Sequence, residues 1–531
     1  MRFFGVQESR VSIRYLIKTS QYFDSVSLMN IARDIRALPG IEDAALVMGT
    51  EANKGLLQQV SPLPVEAKAA SPTDLILMVK GDETALDEAL ATAEKLLTKR
   101  PTAAEGSAHR PRTLRSAVRA HPDANLAVIS VAGAYATAEA WSALQQNLHV
   151  LLFSDNVALD DEVALKRYAT ERGLLLMGPG AGTAIINGAA LGFANVVPSG
   201  PVGIISAAGT GLQEVSTLLA REGIGITQGI GVGGRDLSDA VGGLMMLHAV
   251  QALQNDPATE VIVAISKPPS PAVSERVLDQ LAASKKPAVV IFMGADDLPA
   301  APSPAVHLTR TLQEAALTAA ALVRGDNVPA IRAQLAKRRG ALRAQATELA
   351  VQLRPGQTYL RGLFSGGTLC EEAMRLWSAE IGDVWSNGPL KPHLKLPDSN
   401  RSQGHCALDL GEEEFTVGRP HPMIDNDLRI RRLLQEAADP QVAVIQMDVV
   451  LGYGAHPDPA SELAPAIREA CEAAARAGRH LIVVGALTGT DGDPQNLTRQ
   501  ARAFQAAGMA LLPSNADASQ LAAFVVQAAE Q

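Results

Sequence analysis

Two short turns carry the residues best suited to chemistry. Ser206-Ala207-Ala208-Gly209-Thr210-Gly211 follows the strand-like run Val202-Gly203-Ile204-Ile205. Ser365-Gly366-Gly367-Thr368 follows Tyr359-Leu360-Arg361-Gly362-Leu363-Phe364. Each turn then opens into an apolar helical period. A strand–turn–helix junction of this composition presents free backbone N–H groups at the positive end of a helix, an arrangement that suits an anion. Two such junctions predict a phosphate or carboxylate held from both sides. Ser206, Gly209, Thr210 and Gly211 would supply one side, and Ser365, Gly366, Gly367 and Thr368 the other. Glycine in such turns also serves packing alone, so the surroundings of the two turns decide between the readings.

Other polar clusters are candidates for the reacting groups. Arg419-Pro420-His421-Pro422 followed by Asp425 is the densest. Arginine recognises an anion with two parallel hydrogen bonds, and histidine moves protons near neutral pH. The prolines restrict the loop before anything binds. A loop that merely caps a sheet edge is the alternative. Gly234, Arg235 and Asp236 form a second candidate contact for substrate. Asp155 and Asn156 end a strand-like run, where open parallel sheets place ligands, although a helix N-cap accounts for them equally well. Lys267 follows the run 261–266 and reads, on the residues alone, as a surface lysine before Pro268-Pro269. Gly229-Ile230-Gly231-Val232-Gly233-Gly234 satisfies G-x-G-x-x-G, but no helix opens within it, so a dinucleotide is not read there.

The elements that must position these residues follow from composition and period. At 531 residues the chain exceeds one core and implies several domains. Apolar residues make up 47% with few aromatics and much Ala and Gly, as in helix-on-sheet α/β packing. A net charge of −9 argues against a nucleic-acid surface. No run reaches membrane-spanning length and the first residues lack a signal-peptide core; with cysteines too sparse for a disulfide framework, a reducing cytoplasm is expected. The three cysteines, Cys370, Cys406 and Cys471, have no metal-ligand spacing and form no disulfide framework. No metal site is therefore expected.

Residues 1–110 read as a small α/β domain, with strands at 11–18, 41–48 and 74–80 and helices at 25–38 and 83–97. A polar linker is expected over 99–111. Residues 111–199 alternate strand and helix in a Rossmann-like segment. Residues 200–325 restart the alternation, with strands at 202–206, 225–229, 261–266 and 288–293. Residues 326–356 read as a basic, solvated helical linker. Residues 357–531 hold five more strands with intervening helices, which predicts a second flavodoxin-like open sheet.

The runs Met177-Gly178-Pro179, Gly200 to Ser206 with Gly209-Thr210, and Gly231-Val232-Gly233-Gly234 resemble the α-subunit of succinyl-CoA synthetase in order and spacing. Ser365-Gly366-Gly367, Asp409-Leu410-Gly411 and Asp448 to Gly454 resemble the carboxy-terminal domain of its β-subunit. Over its full length the chain is similar to the FdrA family, a fused offshoot of these synthetases. Asp24 to Met29, Met48-Gly49-Thr50, Phe153 to Val157, Gly233 to Ser238, Ser266 to Pro269 and Thr416 to Asp425 carry that closer likeness. The resemblance implies a multidomain α/β succinyl-CoA synthetase-like fold, with a Rossmann-like segment, two flavodoxin-like sheets and a small N-terminal domain. It also implies two helix N-termini aimed at one phosphoryl group.

Pieces of the synthetase pattern are missing. The 35 or so residues between Val323 and Thr358 are too few for a nucleotide-binding domain. Where the synthetases have a phosphorylated histidine in a Gly-His-Ala-Gly motif, this chain has Ala295-Asp296-Asp297-Leu298-Pro299, and His307 lacks glycine neighbours. The acidic partner of that histidine is replaced by Lys267. The glycine-rich turn that holds CoA has no clear counterpart, so CoA stays open and no cofactor is assigned. The FdrA resemblance implies a carbamoyltransferase component acting with two other subunits in anaerobic allantoin breakdown. It would interconvert oxalurate plus phosphate with oxamate plus carbamoyl phosphate. Lys267 and the helix ends would hold phosphate, Arg419 the substrate carboxylate, and His421 with Asp425 would manage protons. An acyl-CoA synthetase-like enzyme with a separate nucleotide-binding partner, and a non-catalytic scaffold, are the alternatives.

Overall fold

The computed structural model describes residues 11–19, 25–60, 62–71, 73–98, 111–131, 133–294, 301–416 and 419–529. Nearly all of the linker expected at 99–111 lies outside them, as do Asp24, Ala295 to Pro299, and Val417-Gly418. The chain divides into two units: Met1–Arg110 with Glu412–His421, and Pro111–Gly411 with Pro422–Gln531.

The smaller unit is built on a three-stranded antiparallel sheet. Val11–Lys18 and Ile41–Met48 flank the central Leu75–Asp82. Alternation of side chains gives this sheet two faces, and both carry buried apolar residues: Leu46, Leu77 and Val79 on one, Val47, Ile76 and Met78 on the other. Leu28 and Ile35 of the helix Ser25–Arg36, and Leu86 and Ala89 of Glu83–Thr98, close over Leu46, Leu77 and Val79. Two helices not expected from the sequence, Glu51–Val60 and Val65–Ala69, connect the second strand to the third.

Among the described residues, the larger unit contains three sheets. Leu126–Ile129, His149–Leu152 and Leu176–Met177 form a short parallel sheet. The second sheet runs in the order Val306–Leu308, Ala288–Phe292, Val261–Ser266, Ser199–Ser206, Ile226–Gly231, Thr183–Ile186, Ala189–Gly192. Its first five members are parallel and, numbered along the chain, stand in the flavodoxin-like order 2-1-3-4-5. The last two form an antiparallel hairpin that the periodicity did not reveal. Its turn is Asn187-Gly188, with φ of 49° and 78°. An Asn-Gly pair at positive φ is the strongest short-range hairpin signal, and it stands openly in the sequence.

The third sheet is parallel throughout, in the order Val384–Ser386, His405–Asp409, Tyr359–Phe364, Val442–Val450, Ile482–Thr488, Ala510–Leu512. Without the edge strand Val384–Ser386, which was not anticipated, it repeats the 2-1-3-4-5 order. The chain closes on a helix, Asn515–Ala529, that was also not anticipated. The second and third sheets share one apolar layer: Ile204, Leu212 and Leu219 belong to the same buried cluster as Phe364, Leu369, Trp377 and Phe524. Each such side chain, fully buried, stabilises by about 1.5–3 kcal/mol.

The segment expected to be a basic, solvated helical linker is a helix, Val328–Ala350, but one packed on Asn515–Ala529. Its Leu342 and Ala346 are buried. Its arginines are paired: Arg332 with Glu314 (3.0 Å), Arg338 with Asp517 (2.6 Å), and Arg339 and Arg343 with Glu380. Basic residues at helical spacing can pair with neighbours as readily as with water, and period alone does not separate the two.

Candidate functional site

In an open α/β sheet, ligands bind beyond the strand ends where the strand order reverses. In the second sheet this point lies between Ser199–Ser206 and Val261–Ser266, in parallel register with Ser206 opposite Ile265. Ser206 leads to the helix Gly209–Arg221, and Lys267 directly follows the neighbouring strand. In the third sheet the point lies between Tyr359–Phe364 and Val442–Val450. There Ser365-Gly366 leads to the helix Gly367–Ile381, and Asp448 stands in the neighbouring strand. Both glycine turns thus occupy the positions that this topology offers to ligands.

The two helix ends meet. A Cβ built on Gly366 would stand 2.8 Å from Thr210 Cγ2, and one on Gly211 would stand 3.1 Å from Thr368 Cγ2. Each threonine therefore fills the space that the opposite glycine leaves. Intrahelical bonding starts with Leu212 N–H to Ala208 O and Cys370 N–H to Gly366 O. The N–H groups of Gly209, Thr210 and Gly211, and of Gly367, Thr368 and Leu369, come before those bonds and have no acceptor among the described residues. Gly209 and Gly367 are partly exposed, whereas Thr210 and Thr368 are buried.

Charged side chains border these ends. Lys267 Nζ stands 3.7 Å from the position of a Cβ on Gly367 and 3.8 Å from Glu371 Oε2. Glu371 also holds Arg375 through its other oxygen, at 2.9 Å. The Arg375 guanidinium lies against Gly294, whose φ of 75° and missing side chain both make room for it. Asp409 packs on Gly367 and accepts the Gly411 N–H at 2.9 Å. Cys370, in the first turn of the second helix, has its thiol pushed well above the ordinary thiol range by burial.

The structure corrects the role of the two serines and of Gly366. Ser206 Oγ accepts the Ala208 N–H (3.0 Å) and donates to Ala208 O (2.6 Å), so it holds its own turn. Ser365 N–H and Gly366 N–H both donate to Asp448, each at 2.8 Å, and Ser365 Oγ donates to the same carboxylate. These donors serve an internal anion and are not offered to a ligand. Arg429 Nη2 lies 3.1 Å from Asp448 Oδ1, and both side chains are buried. Burial pushes the Asp448 carboxyl up, while Arg429, Ser365 and Gly366 pull it back. Sequence reasoning missed Asp448 and Arg429 as a pair. A lone Asp inside the apolar run Val442–Val450 was the available signal.

Other expected site residues have structural duties. Asp236 is fully buried, takes Lys166 Nζ at 2.7 Å, and accepts Met245 N–H and Met246 N–H at the start of the helix Leu244–Asn255. It is a capping carboxylate, which corrects its reading as a substrate contact. Arg235 pairs with Glu162 and donates to Val157 O, both at 2.8 Å, while Gly234 is exposed. Asp155 and Asn156 are exposed beyond the strand His149–Leu152. Gly133 and Gly180 press on them: a Cβ on Gly133 would stand 2.7 Å from Asn156 O. Arg419 and His421 fall in the smaller unit and are half-buried. Asp425 belongs to the larger unit, where it accepts the Asp427 N–H at 2.8 Å.

The glycines nearest a CoA-type cradle are filled from within. A Cβ on Gly233 would stand 2.6 Å from Pro179 O, and Gly231 abuts Thr183 O. Gly133 abuts Asp155 O. Glycine at these positions lets the chain's own backbone approach closely, and a side chain at any of them would collide with it.

Residues 363–525 match the CoA-ligase family, and residues 199–294 match the CoA binding domain. Residues 11–113 match the domain described as AllF, heavy metal-associated. That stretch contains no cysteine, and no three His, Cys, Asp or Glu among the described residues are grouped to hold a metal, so its residues do not fit a heavy-metal site. The chain is 45% identical over 517 residues to the uncharacterized protein YahF of Escherichia coli K12, covering 96% of this chain and 98% of that one. It is 26% identical over 178 residues to the α subunit of an ADP-forming succinate–CoA ligase from Methanothermobacter thermautotrophicus. That match covers 33% of this chain and 58% of the relative, so it spans little more than half of the ligase subunit. Among solved structures, a dinucleotide-forming acetyl-coenzyme A synthetase of Ca. Korarchaeum cryptofilum matches at 16% identity and a TM-score of 0.29, over 76% of this chain and 83% of that one. PH0766 of Pyrococcus horikoshii matches at 15% and 0.31, over 78% and 86%.

Proposed function

Because the chain belongs to a family of succinyl-CoA synthetase-like proteins that includes YahF, we propose that its two apposed helix ends bind phosphate or a phosphorylated substrate in a group-transfer reaction. The observation that carries this reading is the set of unclaimed N–H groups at Gly209–Gly211 and Gly367–Leu369, bordered by Lys267. Donors that are already oriented stabilise developing negative charge without reorganising.

The reaction we assign is carbamoyl transfer. A phosphate oxygen attacks the carbamoyl carbon of oxalurate, the bond from that carbon to the oxamate nitrogen breaks, and the nitrogen takes a proton as oxamate leaves. Carbamoyl phosphate is the other product. No ATP is consumed, in keeping with the short segment between Val323 and Thr358. The AllF-named match over 11–113 supports the FdrA-type reading. Partner subunits and a cytoplasmic setting belong to the same proposal. No helix among the described residues is long and apolar enough to cross a membrane.

The test is phosphate release from carbamoyl phosphate plus oxamate, with the full chain alone and with the products of neighbouring genes. Lys267→Ala is expected to raise the KM for carbamoyl phosphate at least tenfold. Unchanged kinetics would remove the helix ends from the site. The roles of Arg419, His421 and Asp425 rest on the sequence. An Arg419→Ala variant with full activity ends the first of them. A second reading, acyl-CoA formation with a separate nucleotide-binding chain, is favoured by the CoA-ligase and CoA-binding matches. Thioester formation from ATP and CoA would establish it.

A further inference from the structure

The two site helices repeat one another beyond their first turns. Gly209-Thr210-Gly211-Leu212-Gln213-Glu214 opens one, and Gly367-Thr368-Leu369-Cys370-Glu371-Glu372 opens the other. The sixth residue of each is a buried glutamate. Five helical rises place each carboxyl-bearing residue about 7.5 Å along the axis from the residue that opens the helix.

A single residue joins the pair. Asn515, at the start of the helix Asn515–Ala529, donates its backbone N–H to Glu214 Oε1 (3.0 Å) and its side-chain Nδ2 to Glu372 Oε2 (2.8 Å). The remaining oxygens accept from Thr488 Oγ1 and from the Leu312 N–H. Charged groups face the pair from every side. Arg221, on the helix of Glu214, is the near cation, and it also donates to the carbonyls of Leu487, Gly489 and Pro513. Asp448 and Asp517 add negative charge from the third sheet and the last helix. Asp517 is itself held by Arg338 and Gln313. Glu371 and Arg375, on the helix of Glu372, pair with each other. Among the described residues, no ion pair reaches Glu372. A carboxyl pair with a single near cation therefore lies beneath two helix ends that attract anions.

Resting on the site reading above, we propose that Glu214 and Glu372, joined through Asn515, couple proton uptake to anion binding at the two helix ends. An anion at the ends repels a charged carboxylate below them, and the least costly relief is a proton on that carboxylate. Burial already pushes Glu372 up to about 7 and raises Glu214 above its ordinary range. One unit of charge at about 10 Å, with an effective dielectric near 20, moves a carboxyl by roughly one pKa unit. Anion affinity is then about tenfold higher at pH 6 than at pH 9.

Calorimetry on the full chain tests this, with inorganic phosphate at pH 7.5 in two buffers of different ionisation enthalpy. The unmodified protein is expected to take up about half a proton more per bound phosphate than Glu372→Gln, since the proton of phosphate itself is common to both. Equal proton counts overturn the proposal. Should that variant fold poorly, sulfate on the unmodified protein decides, because sulfate carries no titrating proton in this range. Uptake near half a proton supports the coupling and zero uptake overturns it. Absence of binding heat with both anions sinks the site reading itself, and the coupling with it.

Discussion

The two site helices begin alike and are supported differently. On the Gly209 side, one hydroxyl suffices: Ser206 holds the turn through Ala208. On the Gly367 side, the turn is tied to a buried ion pair, Asp448 with Arg429, by Ser365 and Gly366. A neutral hydroxyl contributes a modest net hydrogen bond, whereas a buried charge pair is costly to break because each partner strands the other. Similar local sequence therefore hides a large difference in sensitivity, and the second turn depends on residues more than sixty positions away.

The largest expected effect breaks this contrast at its strong end. Asp448→Ala leaves the buried Arg429 without its counter-charge and the N–H groups of Ser365 and Gly366 without their acceptor, and should cost about 3–5 kcal/mol. Ser206→Ala on the other side should cost about 1 kcal/mol. Urea midpoints of the two variants measure the gap, and equal losses would erase the distinction.

Next comes a pH effect centred on Glu372. Its folded value of about 7 exceeds the ordinary glutamate value of 4.5. Between those values the folded chain holds a proton that the unfolded chain has lost. Stability therefore falls as pH rises from 4.5, by about 3 kcal/mol in total, and levels off above 7. Glu372→Gln should flatten that slope in urea titrations across pH 5–8.

A smaller contrast separates the glycines. Gly366→Ala drives a methyl to 2.8 Å from Thr210 and should destabilise by about 1–3 kcal/mol while weakening phosphate binding. Gly209→Ala meets only Thr183 Oγ1 at 3.5 Å and should be tolerated within about 1 kcal/mol. Thermal melts with and without phosphate compare the two. Smallest of all, Lys267→Ala should leave stability unchanged within about 0.5 kcal/mol, because that lysine is 42% exposed and its nearest carboxylate is 3.8 Å away.

Much of this was legible from residue order. Alternating runs of Val, Ile and Leu with amphipathic segments determine the strands and helices of both open sheets, because period and β-branching act locally. The glycine turns were legible for the same reason, since a tight strand-to-helix junction needs small residues where it stands. Asn187-Gly188 also announced its hairpin, although the flanking strands are short. The closing helix Asn515–Ala529 left a weaker trace: apolar residues surround it, so no polar face marks its period.

Only the tertiary structure decided which donors at the site are spent and which are open. Ser365 and the Gly366 N–H are satisfied from within, and Asp236 is a helix cap, because each meets a partner brought from elsewhere in the chain. Hydrogen bonding and burial are pairwise and long-range, and a sequence names the groups without naming their partners. Sequence determined that two helices would open on glycine and threonine, while packing determined that they open against each other, over a shared pair of glutamates.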